Sequence, residues 1–228
     1  MYDGKPFTLV AQIYDRLMLT VDYDRWYANY RTVIAQRLPS FEGVLDLCCG
    51  TGAFTWRLHD EGLHVVGLDA SSDMLAIAQR GGQHPAPVWH LGDVRSFELG
   101  ERFDVALCVF DGFNYLLDPA ELGQALSATA RHLRPGGVLV FDLNTDYAFR
   151  NRLFDEDALD ETVPHWWVSH YDQDSRIVEV EMYFVLDGEA LHECHRQRAH
   201  SDDEVLAALV SAGFVDCETV DAEDLSPA

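Results

Sequence analysis

The stretch Val44-Leu45-Asp46-Leu47-Cys48-Cys49-Gly50-Thr51-Gly52-Ala53-Phe54 decides the fold. Its opening residues form an apolar run of strand length, which stops at a turn containing Gly50 and Gly52. Phe54 to Glu61 follows with the pattern of a helix, and Gly62 suits its C-terminal cap. A strand, a glycine turn and a helix in that order let backbone approach a ligand closely. They also aim helix N–H groups at an anionic or polar part of it. A bare G-x-G serves equally as a tight connection and nothing more, so the residues around it must decide.

Working outward, the alternation repeats. Val65 to Leu68 reads as a buried strand ending in Asp69, 17 positions after Gly52. An acid there is placed to accept hydrogen bonds from both hydroxyls of a ribose. A helix is expected over 73–80, with Asp73 as its N-cap. A short strand over 88–91 ends near Asp93, where a carboxylate can accept from an adenine amino group while Val94 donates its backbone N–H. A strongly apolar strand over 104–110, an amphipathic helix over 119–133, a turn at 134–137 and a strand over 138–143 complete the series. Strands alternating with helices at this spacing mean a parallel sheet with right-handed crossovers. The third position of a dinucleotide fingerprint holds Thr55 instead of glycine, leaving less room for a pyrophosphate. That disfavours NAD and favours a ligand without phosphates.

The flanks differ from this core. Residues 8–19 and 24–38 read as two helices preceding it. After Asn144 come three strands, over 165–171, 176–187 and 190–199, with Asp187-Gly188 as a hairpin turn. Ser201 with Glu204 makes a capping box that opens a helix closed by Gly213, and a last strand over 214–220 would rejoin the sheet. The expected organisation is a single domain: helices over 1–40, a cofactor-binding core over 41–145, an antiparallel lid over 146–200 and a return to the core over 201–228.

Composition narrows the function classes. At 228 residues the chain fits one α/β domain with an insertion. No apolar run is long enough for a membrane span, and the start has no secretory pattern. Five cysteines form no C-x-x-C pair and no zinc spacing, which reads as free thiols in a cytoplasmic protein without a metal. The net charge of −23 disfavours nucleic acid, because nonspecific affinity comes mainly from Lys and Arg neutralising phosphates.

Five strings together resemble the class I S-adenosylmethionine-dependent methyltransferases. They are L-D-L-C-C-G-T-G (45–52), G-L-D-A-S-S-D-M-L (67–75), L-G-D-V (91–94), F-D-V-A-L-C-V-F-D-G-F-N-Y-L (103–116) and L-R-P-G-G-V-L-V-F-D (133–142). Cys48 stands where glycine is commonest in that family. Y-D-R-L-M (14–18), V-D-Y-D-R-W (21–26) and H-E-C-H-R-Q-R (192–198) are similar to small bacterial methyltransferases that lie near the sugar N-methyltransferases and the glycine/sarcosine methyltransferases. The resemblance implies a Rossmann-like sheet of order 3-2-1-4-5-7-6 with helices on both faces. It also implies an antiparallel β insertion after strand five and S-adenosyl-L-methionine as cofactor, released as S-adenosyl-L-homocysteine. The chain runs out soon after the expected sixth strand, leaving no apolar run for a seventh. An exposed sheet edge would invite pairing with a second copy of the chain.

Methyl transfer from a sulfonium needs alignment and exclusion of water more than it needs a catalytic triad. On this reading Asp46, Gly50 and Gly52 line the methionine end of the cofactor, with Cys48 and Thr51 of the same string. Asp69 and Ala70 sit at the ribose, Asp93 and Val94 at the adenine, and Met74 covers the adenine ring. The resemblance adds Tyr14 and Trp26 closing over the cofactor, with ordinary helix packing as the competing reading of both. At the edge facing the transferred methyl, Phe110 contacts the cofactor while Asp111, Asn114 and Tyr115 orient or deprotonate an acceptor. Turn formation is the competing role for Asp111 and Asn114. His195 is the substrate-side choice from the lid, against a packing histidine. The expected partner is a small-molecule methyl acceptor taking the group on N or O. The alternatives are an RNA methyltransferase, a non-catalytic adenosyl-ligand binding module and, more distantly, a nicotinamide dehydrogenase.

Overall fold

The computed structural model describes residues 6–82, 85–153, 155–158, 164–222 and 225–226. The core strands are β1 (Gly43–Leu47), β2 (His64–Asp69), β3 (Val88–Leu91), β4 (Phe103–Cys108) and β5 (Leu133–Phe141). They form one parallel sheet in the order 3-2-1-4-5. Helix α1 (Tyr14–Leu17) and helix α2 (Tyr23–Arg37) precede it. Helices α3 (Ala53–Asp60), α4 (Ser72–Ala78) and α5 (Pro119–His132) supply the crossovers. β1 is buried along its whole length, as a central parallel strand covered on both faces must be. One core cluster gathers Leu45, Leu47, Leu68, Phe113, Leu122 and Leu126; another gathers Val44, Leu58, Val65, Val105 and Ile34 of α2.

Local chemistry sets most of the boundaries. Asp118 and Glu121 close a capping box at the start of α5, with Pro119 in the first turn. Ser71, and not Asp73, caps α4, because the Ser71 hydroxyl accepts the Met74 N–H at 3.2 Å. The stretch 8–19, expected as one helix, breaks into a 3₁₀ turn at Val10–Ile13, the single turn of α1 and a second 3₁₀ turn at Met18–Thr20. Residues 134–137, expected as a turn before the strand, loop out within β5, between the Phe103–Leu133 and Val105–Val138 pairings.

The insertion opens with α6 (Asp146–Arg150) and folds into β6 (Glu156–Ala158), β7 (His165–Asp172), β8 (Ile177–Leu186) and β9 (Glu189–Arg198). These make a separate antiparallel sheet in sequence order, one strand more than the pattern of residues indicated. Asp187 (φ +52°) and Gly188 (φ +83°) are the two left-handed residues of a type I′ hairpin turn. Along β9 the inward face carries Glu193, His195 and Gln197, all buried. Helix α7 (Asp202–Ala212) opens on the Ser201–Glu204 capping box and packs on α5.

The expected strand over 214–220 does not form; only Val220 makes an isolated bridge. Its chain is held elsewhere. Glu218 pairs with Arg37 at 2.6 Å, and the Ala222 carbonyl accepts from Asn29 at 3.0 Å, tying this segment to α2. Among the described residues β5 is therefore the edge of the sheet, and positions six and seven of the expected order are not filled. No described helix is long and apolar enough to cross a membrane.

Candidate active site

A cavity of about 360 Å³ opens at the carboxyl ends of β1, β2 and β4, where an open α/β sheet has its ligand crevice. Of the residues anticipated from the sequence, Tyr14, Cys48, Gly50, Thr51, Asp69, Ala70, Met74, Phe110 and Tyr115 line it. Phe7, Thr8, Tyr23, Phe54, Ser71 and Gly112 line it too, without having been singled out.

The floor is the glycine turn. Gly50 (φ +55°) and Gly52 (φ +81°) are both left-handed, and so is Cys48 (φ +54°). A side chain at Gly52 is also excluded by packing, since a Cβ there would stand 2.5 Å from Cη2 of Trp89 on β3. Gly52 is thus beneath the cavity and not on its wall. The Asp69 carboxylate accepts the Gly50 N–H at 2.8 Å and the Ser71 N–H at 2.8 Å, so one side chain ties the turn to the start of α4. Burial raises the Asp69 pKa, against the lowering effect of these backbone donors.

Asp46 lies behind the turn and is fully buried. Oδ2 accepts the Thr55 hydroxyl at 2.5 Å, while Oδ1 finds no partner among the described residues. Asp46 is not among the residues that line the cavity, so this orphaned oxygen lies behind its wall. Its pKa is pushed up to about 7, by burial first; the Thr55 bond opposes this and Asp69 adds to it. The folded protein therefore holds this proton to a higher pH than the unfolded chain does, and stability falls as pH rises from about 4 to about 7. Asp46→Asn is expected to flatten that fall. A pH series of urea midpoints checks it, and an unchanged slope would acquit Asp46.

At the adenine end the expected arrangement is not assembled. Asp93 and Val94 do not line the cavity, and the Asp93 carboxylate is taken by Arg95 through its backbone N–H and guanidinium. Arg95 also pairs with Glu121 on α5, so the competing donor is itself held in place. Trp26 is likewise outside the lining, stacked on Tyr30 and edge-on to Phe110. Its place is that of the competing reading, helix packing.

The β4 edge is backbone under strain. Phe110 and Asp111 are both at φ +56°, a conformation costly for side-chain-bearing residues and frequent at functional sites. Two carboxylates hold it: the Asp111 N–H donates to Asp142 Oδ2 at 2.8 Å, and Asp111 Oδ2 accepts from Asn144 and Gln197. Burial, then the Asp142 charge, push Asp111 up to about 8. Asp111 is outside the cavity lining. Asn114 is fully buried and spends its amide on backbone: it donates to the carbonyls of Asn144 (2.9 Å) and Arg198 (2.8 Å) and accepts the Asn144 N–H (2.9 Å). It clamps the insertion to the core and does not face the cavity.

Tyr115 does face it, and its hydroxyl bonds His195 Nδ1 at 2.7 Å. His195 Nε2 is 2.7 Å from Glu193 Oε1. Burial raises the Tyr115 pKa well above that of an ordinary phenol. Glu193 had a legible signal: two positions before His195 on a strand, it must share its face.

This fold, with a cavity at the strand-one turn, defines a Rossmann-like α/β protein. A methyltransferase-domain family profile matches residues 44–137. YqeM of Bacillus subtilis (strain 168), itself named only provisionally as a methyltransferase, is 31% identical over 226 residues, covering 95% of this chain and 90% of that protein. A dTDP-3-amino-3,6-dideoxy-alpha-D-glucopyranose N,N-dimethyltransferase of Streptomyces fradiae is 32% identical, covering 84% of this chain and 76% of its own. The crystal structure of an S-adenosylmethionine-dependent methyltransferase from Clostridium acetobutylicum ATCC 824 superposes with a TM-score of 0.81 at 26% identity, over 96% and 92% of the two chains. The chain belongs to the S-adenosylmethionine-dependent methyltransferases.

Proposed function

We propose that this enzyme methylates nitrogen or oxygen of a small molecule, with an amine as the favoured acceptor. The observation that carries this is the cavity wall. It carries the aromatic rings of Phe7, Tyr14, Tyr23, Phe54 and Phe110, and Tyr115 brings to it a hydroxyl bonded to a buried histidine. Aromatic faces suit a sulfonium and exclude water. An amine that arrives as its ammonium must lose a proton to attack, and a phenol–imidazole pair is a place to put it. The Streptomyces fradiae relative, named for an amino-sugar N,N-dimethylation, supports the same direction.

When bound, S-adenosylmethionine supplies an activated methyl group, and the chain's own residues bind, orient and shield. In this reading Asp69 takes the ribose, the Gly50–Thr51 turn the methionine end, and Met74 the adenine face. Asp111 and Asn114 act as scaffold for Tyr115.

Thermal unfolding with S-adenosylmethionine, S-adenosylhomocysteine and NAD is the first test. At about 100 times Kd a ligand adds roughly 2.7 kcal/mol, a shift of several degrees for a chain of this size. The two adenosyl ligands are expected to shift the midpoint and NAD is not. An acceptor screen read by mass then looks for the gain of one methyl. Gain on an RNA and on no amine or alcohol would overturn the small-molecule reading.

A further inference from the structure

Glu193 is wholly buried, and among the described residues no arginine or lysine pairs with it. Four donors converge on its carboxylate instead. The backbone N–H groups of Phe7 (2.5 Å), Leu9 (2.7 Å) and Val10 (3.1 Å) come from the segment ahead of α1, and the fourth is the His195 ring at 2.7 Å. Burial alone would raise the pKa of this group. The His195 bond and the strap's N–H donors outweigh it, so Glu193 stays below the ordinary range as a carboxylate. An ionised carboxylate only accepts, so His195 must present Nε2–H to it. In the neutral tautomer this leaves Nδ1 as a lone pair, 2.7 Å from the Tyr115 hydroxyl and placed to receive its O–H.

The same segment crosses the cavity. The Phe7 carbonyl accepts from Ser71 beside Asp69, and the Phe7 ring packs on Tyr14, Tyr115 and His195. Residues 7–10 are therefore a strap with one end on the cofactor-binding core and the other on the insertion.

We propose that Glu193 is the positioning residue of the acceptor site: its one carboxylate both holds the strap over the cavity and sets the His195 tautomer through which Tyr115 relays a proton. The step balances. The acceptor's ammonium N–H bond breaks as a new O–H forms on Tyr115; the old Tyr115 O–H bond breaks as N–H forms on His195 Nδ1. The imidazolium rests against the Glu193 carboxylate and passes its proton to water when the strap lifts. Burial first, then the nearby Asp111 and Tyr14, disfavours a free phenolate against an opposing hydrogen bond from Gln197, which leaves the phenol to pass on a proton without storing charge. The relay's use in catalysis rests on the methyltransferase reading above, whereas the coupling of strap to tautomer does not.

The test uses the full chain labelled with ¹⁵N-histidine and a His195→Gln variant to assign the resonance. Wild type is expected to show one His195 tautomer, protonated at Nε2. In Glu193→Gln one oxygen becomes an NH₂ that cannot accept: in the Oε1 place it faces the Phe7 N–H and the His195 ring, in the Oε2 place the Leu9 and Val10 N–H groups, so the strap loses a partner in either orientation and the ring in one. The single tautomer is expected to disappear, and cleavage by thermolysin within residues 7–13 to rise about tenfold, the scale of one lost hydrogen bond to a charged group. Tyr115→Phe is expected to leave the strap as protected as in wild type while shifting the His195 Nδ1 resonance. A retained tautomer together with unchanged cleavage in Glu193→Gln would overturn the proposal. S-adenosylhomocysteine binding, measured on the same samples, reports separately on the methyltransferase reading.

Discussion

Gly52→Val is expected to abolish the thermal response to S-adenosylhomocysteine and to lower stability by about 2–5 kcal/mol. Two costs combine. The residue sits at φ +81°, where a side chain costs roughly 1–2 kcal/mol. A Cβ would also collide with the Trp89 ring at 2.5 Å, and overpacking of that kind costs about 1–3 kcal/mol. Neither neighbour gives easily, because a Cβ there would also come within 3.2 Å of Ala78 on α4. Gly62→Ala separates the terms: Gly62 has φ +87° with nothing near its missing Cβ, so only strain is felt. Urea unfolding of both variants, with and without the ligand, reads the difference. Equal losses would mean that Trp89 yields, and that the packing argument is wrong.

Asp69→Asn is expected to weaken S-adenosylhomocysteine binding about 100-fold, roughly 2.7 kcal/mol. The substitution keeps the size of the side chain but points an NH₂ at one of two backbone donors, Gly50 N–H or Ser71 N–H. It also removes the charge that would take the ribose hydroxyls. Titration calorimetry at neutral pH gives the Kd directly. Because burial already raises the pKa of Asp69, wild-type affinity is expected to fall on acidification as the carboxylate protonates. The variant's affinity should fall less. An unchanged Kd in Asp69→Asn would take this residue out of the ligand site.

Much of the molecule was legible in its residues, and the reasons are local. β1, β2 and β4 are short, largely apolar runs between turn signals, as buried parallel strands are. The Ser201–Glu204 box, Gly62, Gly213 and the Asp187–Gly188 hairpin act within a few residues of themselves, so they read correctly from the string alone. Part of the cavity lining was legible for the same reason. Gly50, Thr51, Asp69, Ala70 and Met74 follow strand ends directly, and the sheet carries every strand end to one edge.

What local pattern cannot express is competition between distant groups. Asp93 has the right position, but Arg95 and Glu121 of α5 claim its carboxylate, an outcome set by the packing of α5 on the sheet. Asn114 looked like a catalytic amide; three backbone groups from beyond residue 140 converge on it once the insertion docks. Residues 214–220 have strand-like composition, yet Arg37 and Asn29 hold that end of the chain against α2. The sequence by itself determined a Rossmann-like methyltransferase core, because hydrophobic period and turn chemistry act over a few residues. Only the tertiary structure decided which polar side chains still face the cavity. Most buried donors and acceptors need a partner, and across 186 positions from Phe7 to Glu193 that partner is chosen by the fold.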